Sequence, residues 1–220
     1  TTTALAVLEG LGVVAAGLVS GSLRQPAHGL KAALVAQGLA AASFEAAELA
    51  AFADPLAFAD PLAFADPLNV LAALGDPMQA FAAGLVGAAA ARGTPVLLAG
   101  GSQMAAVLAL ALALAEPGQR PALADRLVVA TTAWVAEEAG SNLALLLERI
   151  GARWQVRPRL EVAALRFHGC SSAALRDYER GYVKEGVGAG GLALLWQLAG
   201  RPPGALAEAC DAACRLELGA

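Results

Sequence analysis

The chain is poor in charged and in aromatic residues, and this shortage argues against one broad class of function. Of its 220 residues only 15% are charged and 5% are aromatic, and the formal net charge is −4. The sequence contains no run of Lys or Arg, although such a run or a basic stripe is the usual signature of a nucleic-acid-binding surface. We therefore expect no nucleic acid among the partners of this protein.

Cysteine and histidine are also scarce. The three Cys and two His residues are too few for a disulfide framework, and the number of Cys is odd. Cys210 and Cys214 have the spacing of one helix face, whereas Cys170 is far away in the sequence. Neither His28 nor His168 stands at a ligand spacing from the Cys pair, so we expect buried thiols and no metal ion.

Long hydrophobic runs are missing as well, although 58% of the residues are hydrophobic. The most apolar run, MAAVLALALALA from Met104 to Ala115, is well short of the roughly 20 residues that cross a bilayer. It predicts a buried core helix. The first residues, TTTALAVLEG, lack the basic leading region of a signal peptide, and we expect a cytoplasmic protein.

Two kinds of apolar segment alternate along the chain and predict an α/β fold. Buried strands are indicated by TPVLLAGG, RLVVATT and LEVAALRF, with VVAAGLVS (Val13–Ser20) as a further candidate. Helices are indicated by TTTALAVLEG, HGLKAALVAQGLAAAS, PMQAFAAGLVGAAAARG, NLALLLERIG ending at its Gly, AALRDYERG, GLALLWQLAG and PGALAEACDAACRLE. We expect one domain over residues 1–220: a doubly wound, mostly parallel sheet flanked by helices, with a helical C-terminal part.

One segment departs from this alternation. FADPLAFADPLAFADPL, from Phe52 to Leu68, repeats one short unit, and each unit contains Asp-Pro, which disfavours helix at the residue before proline. The copies are identical, unlike the diverged units of a solenoid. We expect a loop excursion; calcium binding by its Asp residues is a weaker alternative, because no Gly-containing calcium loop is present.

Sheets of this type bind ligands at the carboxyl ends of their strands, so the strand-to-helix turns LVSGSL, LLAGGSQM and VVATTAW are the informative segments. In LLAGGSQM, Gly100, Gly101 and Ser102 lie between a strand and a helix. This arrangement suits a phosphate, although a tight turn explains it equally well. It is not a Walker loop, because the Lys-Ser/Thr ending is absent.

The beginning of the chain has a similar character. Thr1, Thr2 and Thr3 precede an Ala-rich helix, and hydroxyls with free amides at a helix N-terminus suit a phosphate. Capping alone would require one Thr rather than three. These residues are therefore candidates for phosphate binding.

A lone carboxylate stands in the segment GYVKEGVGAGG, from Gly181 to Gly191. Glycine costs conformational entropy and offers no side-chain contacts, so the glycines around Glu185 indicate that something approaches the backbone closely. A solvated surface glutamate is the alternative interpretation. Glu185 is the candidate catalytic residue, and Gly186 and Gly188 are candidate nucleotide contacts.

Other chemically suggestive residues are expected to be structural. Asp76 in GDPMQ is expected to cap a helix that has Pro77 in its first turn. A Ser-His pair in HGCSS (His168–Ser172) is disfavoured, because neighbouring residues rarely point at each other and no G-x-S-x-G elbow is present. The aromatic residues expected in the core or a pocket wall are Trp134, Tyr178 and Trp196.

Several of these segments together resemble a known family, the archaeal and cyanobacterial homologues of nicotinate-nucleotide:dimethylbenzimidazole phosphoribosyltransferase. The resemblance extends from Thr1 to about Leu195 and is most specific in GDPMQAFAAGLVGAAAARGTPVLLAGGSQM and VKEGVGAGG. It implies transfer of ribose 5-phosphate from nicotinate mononucleotide to 5,6-dimethylbenzimidazole, which yields α-ribazole 5′-phosphate for cobalamin assembly. It also implies small-molecule substrates, no cofactor and a homodimer.

The resemblance assigns roles to individual residues. The family's glutamate in a GEGSGA-like motif falls on Glu185, which would act as the base. Its phosphate-site NTT falls on Thr1–Thr3, a lysine from the following helix on Lys31, and a Gly-rich loop on Val19–Ser22, which contains Ser20 and Gly21.

Two departures from the family pattern support alternative functions. The family's DGF turn falls on Ala99–Gly101, where the Asp is absent, and family members have a substantial portion before the position of Thr1. The chain could therefore be a nucleotide- or phosphate-binding homologue without turnover. A third hypothesis is an Ala-rich oligomerising scaffold, in which small-residue helices such as Leu85–Ala91 form a dimer face.

Overall fold

The computed structural model describes residues 2–21, 27–53, 66–181 and 188–218, and the helices α1 to α11 below are numbered within these ranges. They are α1 (Thr2–Gly10), α2 (His28–Ala53), α3 (Pro67–Leu74), α4 (Pro77–Ala91), α5 (Ser102–Leu114), α6 (Arg120–Asp125), α7 (Ala133–Ala136), α8 (Leu143–Trp154), α9 (Ala173–Glu179), α10 (Ala189–Leu198) and α11 (Pro203–Leu218). The strands are β1 (Val96–Ala99), β2 (Leu127–Thr132) and β3 (Arg159–Ala163).

The three strands form a parallel sheet in the order β1-β2-β3. Ala99 pairs with Ala130, and Thr132 pairs with Ala163. Parallel neighbours require crossover connections, and helices supply them here. The expected α/β fold is confirmed, and the last residues of all three strands lie along one side of the sheet, which we call the carboxyl edge.

The two faces of the sheet are covered by different layers. Val129 of β2 belongs to the main hydrophobic core, together with residues of α1, α4, α5 and α8. Ala163 of β3 belongs to a second cluster with Ala193 of α10. Side chains alternate along a strand, so Thr131 faces the main core, whereas Thr132, the register partner of Ala163, faces α10.

The central helix of the main core is α5. All its residues from Ala105 to Leu112 are buried, which explains why this stretch of the sequence has no polar face. The prediction of a buried core helix in the run Met104–Ala115 is confirmed. Within the described ranges, no helix combines the length and the apolar character needed to cross a membrane.

The prediction of a strand at Val13–Ser20 is wrong. This segment consists of turns and irregular backbone, with Gly17 at a φ of 74°. The carboxylate of Glu9 accepts hydrogen bonds from the N–H groups of Ala15 and Ala16, at 2.7 and 2.8 Å. A side chain therefore satisfies backbone donors that a neighbouring strand would otherwise have to satisfy.

The expected end of α8 at Gly151 is also wrong, because the helix continues to Trp154 and ends at Gln155, which has a φ of 56°. A Cβ atom on Gly151 would lie 2.7 Å from the carbonyl oxygen of Val156. Glycine is needed here for the close approach of the chain that follows the helix, and it does not terminate the helix.

The central part of the FADPLA repeat, residues 54–65, lies outside the described residues. The expectation of a loop is wrong at both ends of Phe52–Leu68, since the first two residues close α2 and the last two open α3. Asp66 is the N-cap of α3, and its carboxylate accepts a hydrogen bond from the N–H of Leu68 at 2.8 Å. The last Asp-Pro pair thus begins a helix, with Pro67 at a first-turn position.

Candidate functional site

The first turn of α10 lies directly on the carboxyl edge of the sheet. A Cβ atom on Gly190 would lie 2.6 Å from the nitrogen of Thr132, and one on Gly191 would collide with the Cβ of Ala99. Interiors are packed too densely to absorb such overlaps without movement of the backbone. At these two positions the glycines serve the close approach of the sheet, whereas the sequence interpretation had assigned that approach to a ligand.

The turn between β1 and α5 meets the 18–21 loop at the same edge. Gly100, Gly101 and Ser102 are buried, as is Gly21. The Oγ of Ser102 accepts a hydrogen bond from the N–H of Ser20 at 2.8 Å. A hydroxyl that accepts one hydrogen bond can still donate its own proton, so Ser102 can donate to a ligand here.

The N-terminus of α5 has no side chain of its own to accept hydrogen bonds from its first amides. Gly101 is the N-cap, and no side-chain cap is formed. The first amides of a helix have no intrahelical partner, and together with the helix dipole they favour an anion. The described residues with the best geometry for a phosphate are therefore Gly101 and Ser102.

The N-terminus of α1 is occupied differently from the expectation. Thr3 Oγ1 donates a hydrogen bond to Asp76 Oδ2 at 2.8 Å. Burial raises the pKa of Asp76, but hydrogen bonds from the Gln79 N–H and from the side chains of Thr3 and Gln103 outweigh it and lower the pKa below its usual value. The ionised carboxylate repels a phosphate at Thr3, while Thr2 lies half-buried in the same turn.

Two buried hydroxyls at the end of β2 were not proposed from the sequence. Thr131 and Thr132 are 0% and 2% exposed, and neither Oγ1 has a hydrogen-bond partner; the Nε1 of Trp134 in α7 is also buried without one. Unpaired buried polar groups are rare in native structures and require an explanation. The position of VVATTAW at a strand end was the only sequence signal that pointed to them.

Some of the expected site residues cannot be placed at this edge. Thr1, Glu185 and Gly186 lie outside the described residues. Lys31 is half-buried in the first turn of α2, and within the described ranges no hydrogen bond links it to the carboxyl edge. Gly188 is the N-cap of α10 and lies at the edge, beside Ala99.

The missing acid at the β1 end has a counterpart in the packing. Ala99 stands where the resembled family has Asp, and its Cβ points at Gly191 of α10. A larger side chain with this direction would meet the helix. The close seating of α10 and the small side chain of Ala99 are therefore parts of one arrangement.

The HGCSS segment does not form a nucleophilic pair. Ser171 Oγ donates to Asp211 Oδ2 at 2.8 Å, while His168 Nε2 lies 3.6 Å from Glu179 Oε2. The N–H groups of Ser171 and Ser172 also donate to Asp211 and lower the pKa of its carboxyl to about 2. This cluster fastens the turn before α9 to α11.

The described Cys residues are thiols without a disulfide. Burial raises the pKa of Cys170 and of Cys210, which keeps both groups protonated and weakly nucleophilic. Within the part of the chain that the structure describes, no group of three or more His, Cys, Asp or Glu side chains is arranged to hold a metal ion.

Comparison with known proteins adds relatives without an assigned activity. No protein-family model matches the chain. It is 48% identical to a UPF0284 protein of Prochlorococcus marinus (strain MIT 9313) over 225 residues, covering 100% of this chain and 52% of that protein. It is 49% identical to a UPF0284 protein of Parasynechococcus marenigrum (strain WH8102), covering 97% of this chain and 50% of that protein. A UPF0284 protein of Gloeobacter violaceus is 47% identical, with 96% and 50% covered. The chain spans about half the length of the curated relatives it matches.

Proposed function

We propose that this chain takes part in phosphoribosyl transfer from nicotinate mononucleotide to 5,6-dimethylbenzimidazole, the reaction implied by its sequence resemblance. The observation that carries the proposal is the meeting of two helix N-termini, those of α5 and α10, at the carboxyl edge of one parallel sheet. Neither helix has a side-chain cap. Two sets of free amides at a strand-to-helix edge suit a substrate that carries two anionic groups.

The phosphate of the nucleotide fits the α5 side of this edge. The amides that follow Gly101 and the proton of the Ser102 hydroxyl are donors there. The hydrogen bond from Ser20 to Ser102 holds the 18–21 loop at the same place, so the loop can contribute backbone donors as well. Lys31, which the resemblance assigns to the phosphate, would add charge from α2.

The chemistry assigned to Glu185 follows from the resemblance. A nitrogen of dimethylbenzimidazole forms a bond to C1′ of the ribose, while the bond between C1′ and the nicotinate nitrogen breaks. The electron pair of that bond stays with nicotinate, which leaves with a neutral ring nitrogen. The proton released from the benzimidazole passes to the carboxylate of Glu185, a general-base role that glutamate commonly performs.

A second candidate function, nucleotide binding without turnover, is favoured by Ala99. The carboxylate that the resembled family has at this position is absent, and the Cβ of Ala99 faces Gly191. A chain that lacks one substrate contact can still bind the phosphate, because the α5 donors do not depend on that side chain. Binding and turnover therefore have to be measured separately.

The test is an assay of the chain with nicotinate mononucleotide and dimethylbenzimidazole, with chromatographic detection of nicotinate and α-ribazole phosphate. We expect product from the unaltered chain and none from Glu185→Gln. We expect nicotinate mononucleotide to raise the melting temperature of both proteins, because binding to the native state stabilises it. Glu208→Gln, at an exposed position on α11, is the matched control and should keep full turnover.

The outcomes separate the two candidate functions. Binding without product supports the non-catalytic function, and undiminished product from Glu185→Gln removes Glu185 as the base. If millimolar nicotinate mononucleotide changes neither melting temperature nor product, both functions fall and the scaffold hypothesis gains support.

A further inference from the structure

The hydroxyl of Thr132 is a buried donor with nothing to donate to. Thr132 is 2% exposed, and its Oγ1 has no hydrogen-bond partner. Leaving such a group unpaired costs about 1–3 kcal/mol. Its strand register with Ala163, a member of the cluster that includes Ala193 of α10, directs this hydroxyl to the α10 side of the sheet.

The α10 side also presents free backbone donors. The helix begins at Ala189, its N-cap Gly188 forms no side-chain cap, and Gly190 lies on the backbone of Thr131 and Thr132. The first amides of α10 and the Thr132 hydroxyl are therefore adjacent at the carboxyl edge. A helix N-terminus together with a buried, unpaired hydroxyl favours an anion that accepts from both.

A third donor and an apolar wall stand beside them. The Nε1 of Trp134 is buried without a partner, and this ring belongs to the same cluster as Ala163 and Ala193. Trp134 stacks on Phe167 with ring centroids 4.9 Å apart, and Tyr178 meets Trp134 edge-on at the same distance. The α5 side of the edge has no comparable aromatic group among the described residues.

We infer that the amides of α10, the Thr132 hydroxyl and the Trp134 N–H form a subsite for the carboxylate of a planar aromatic acid. This inference rests on the proposed function for one step only, the identification of that acid as the nicotinate group of the nucleotide. A carboxylate accepts several hydrogen bonds at once. An aromatic ring attached to it would lie against the apolar cluster, where a fully solvated phosphate gains nothing.

The two sides of the edge then divide the substrate between them. The α5 side takes the phosphate, and the α10 side takes the aromatic acid. The reacting C1′ of the ribose lies between these two groups in the nucleotide. Such a division holds the substrate at both ends, which is how binding energy orients a reacting centre.

The test measures binding of nicotinate and of nicotinamide to the chain by isothermal titration calorimetry. We expect nicotinate to bind, and nicotinamide, which lacks the carboxylate, to bind at least about tenfold more weakly. Thr132→Val should weaken nicotinate binding by about tenfold or more, the loss expected for one hydrogen bond to a charged group. Trp134→Phe should also weaken it.

Thr131→Val is the matched control. Thr131 is an adjacent buried threonine with an unpaired hydroxyl, but it faces the main core, so its loss should leave nicotinate affinity unchanged. Both Val variants should melt at or above the temperature of the unaltered chain, because each removes an unpaired buried hydroxyl and keeps the shape of the side chain. Melting temperatures therefore separate loss of binding from loss of folding.

Unchanged nicotinate affinity in Thr132→Val, or no nicotinate binding by the unaltered chain at millimolar concentration, would overturn the subsite. Turnover of nicotinate mononucleotide in either of those cases would leave the proposed function standing without it. Conversely, Thr132-dependent nicotinate binding in a chain that neither binds nor converts the mononucleotide would keep the subsite and remove the proposed function.

Discussion

Helices α4 and α10 are both built from Ala, Gly and Leu, but they use glycine in opposite ways. A Cβ atom on Gly84 or Gly87 of α4 would have no atom within 4 Å, whereas one on Gly190 of α10 would lie 2.6 Å from a backbone nitrogen. The α4 glycines thus leave a face open, and the α10 glycines let a helix lie on a strand end. Composition alone does not distinguish these two cases.

The same two helices also differ at their N-termini. Asp76 caps α4, and Gln79 completes a capping box by accepting a hydrogen bond from the N–H of Asp76. The α10 helix starts after Gly188 without any side-chain cap. A helix that satisfies its own donors contributes stability, whereas one that leaves them free at a strand edge can hold a ligand.

The largest effect is expected from Gly190→Ala. The new methyl would overlap the backbone of β2, and relief requires α10 to move away from the sheet, which costs about 1–3 kcal/mol or more. Urea denaturation should show a lower midpoint with an unchanged slope. A midpoint equal to that of the unaltered chain would contradict the tight seating of α10.

A smaller loss is expected from Gly191→Ala, because its main obstacle is a side chain. The Cβ of Ala99 fills the space, so Ala99→Gly should restore part of the stability in the double variant. A double-mutant cycle by urea denaturation measures this coupling, expected at about 0.5–3 kcal/mol. Strictly additive losses would mean that the two residues do not compete for one space.

Removing the cap of α4 should cost about 1 kcal/mol. Asp76→Ala deletes the acceptor of the Gln79 N–H and of the Thr3 hydroxyl. It should shift the urea midpoint without changing nicotinate binding at α10. A change in nicotinate affinity as large as the change in stability would show that the two helix ends are coupled.

The charge of Asp76 makes a similar contribution that depends on pH. Its pKa is lowered in the folded protein, so the contribution is complete above the ordinary value of about 4 and is lost as the pH falls through the lower folded value. Below that range, the unaltered chain and Asp76→Asn should converge in melting temperature. A constant difference down to pH 2 would contradict this account.

The smallest effects are expected from Gly84→Ala and Gly87→Ala, and they should be favourable. Ala in place of Gly in a helix interior stabilises by about 0.5–1 kcal/mol where nothing obstructs the methyl group. Each variant should therefore raise the midpoint of urea denaturation slightly. A loss of stability instead would show that another surface approaches α4 as closely as the sheet approaches α10, which the scaffold hypothesis requires.

Local patterns were sufficient for the strands and for the buried helix. The runs that became β1, β2 and α5 are apolar at every position, since both their sides are covered. Val13–Ser20 was misjudged because Glu9, a residue outside the segment, satisfies the N–H groups of Ala15 and Ala16. A side-chain acceptor that folds back from the preceding helix has no periodic signature.

The candidate site was predicted in part. Ser20, Ser102 and Gly188 were expected because glycine and serine at strand-to-helix turns mark the edge where ligands bind. Thr131 and Thr132 were not proposed, because threonine is an ordinary strand residue and only the absence of a partner makes it unusual. Thr3 was expected to bind phosphate, and the structure pairs it with Asp76 instead.

The sequence by itself determined the class of fold, the parallel strands, the helical C-terminal part and the strand ends where a ligand can bind. These follow from the periodicity of apolar residues and from local turn chemistry, which act over a few neighbouring positions. Only the tertiary structure decided which glycines are indispensable, which hydroxyls lack partners and which helix ends are free. Those properties depend on atoms far apart in the chain, and close packing alone brings such atoms together.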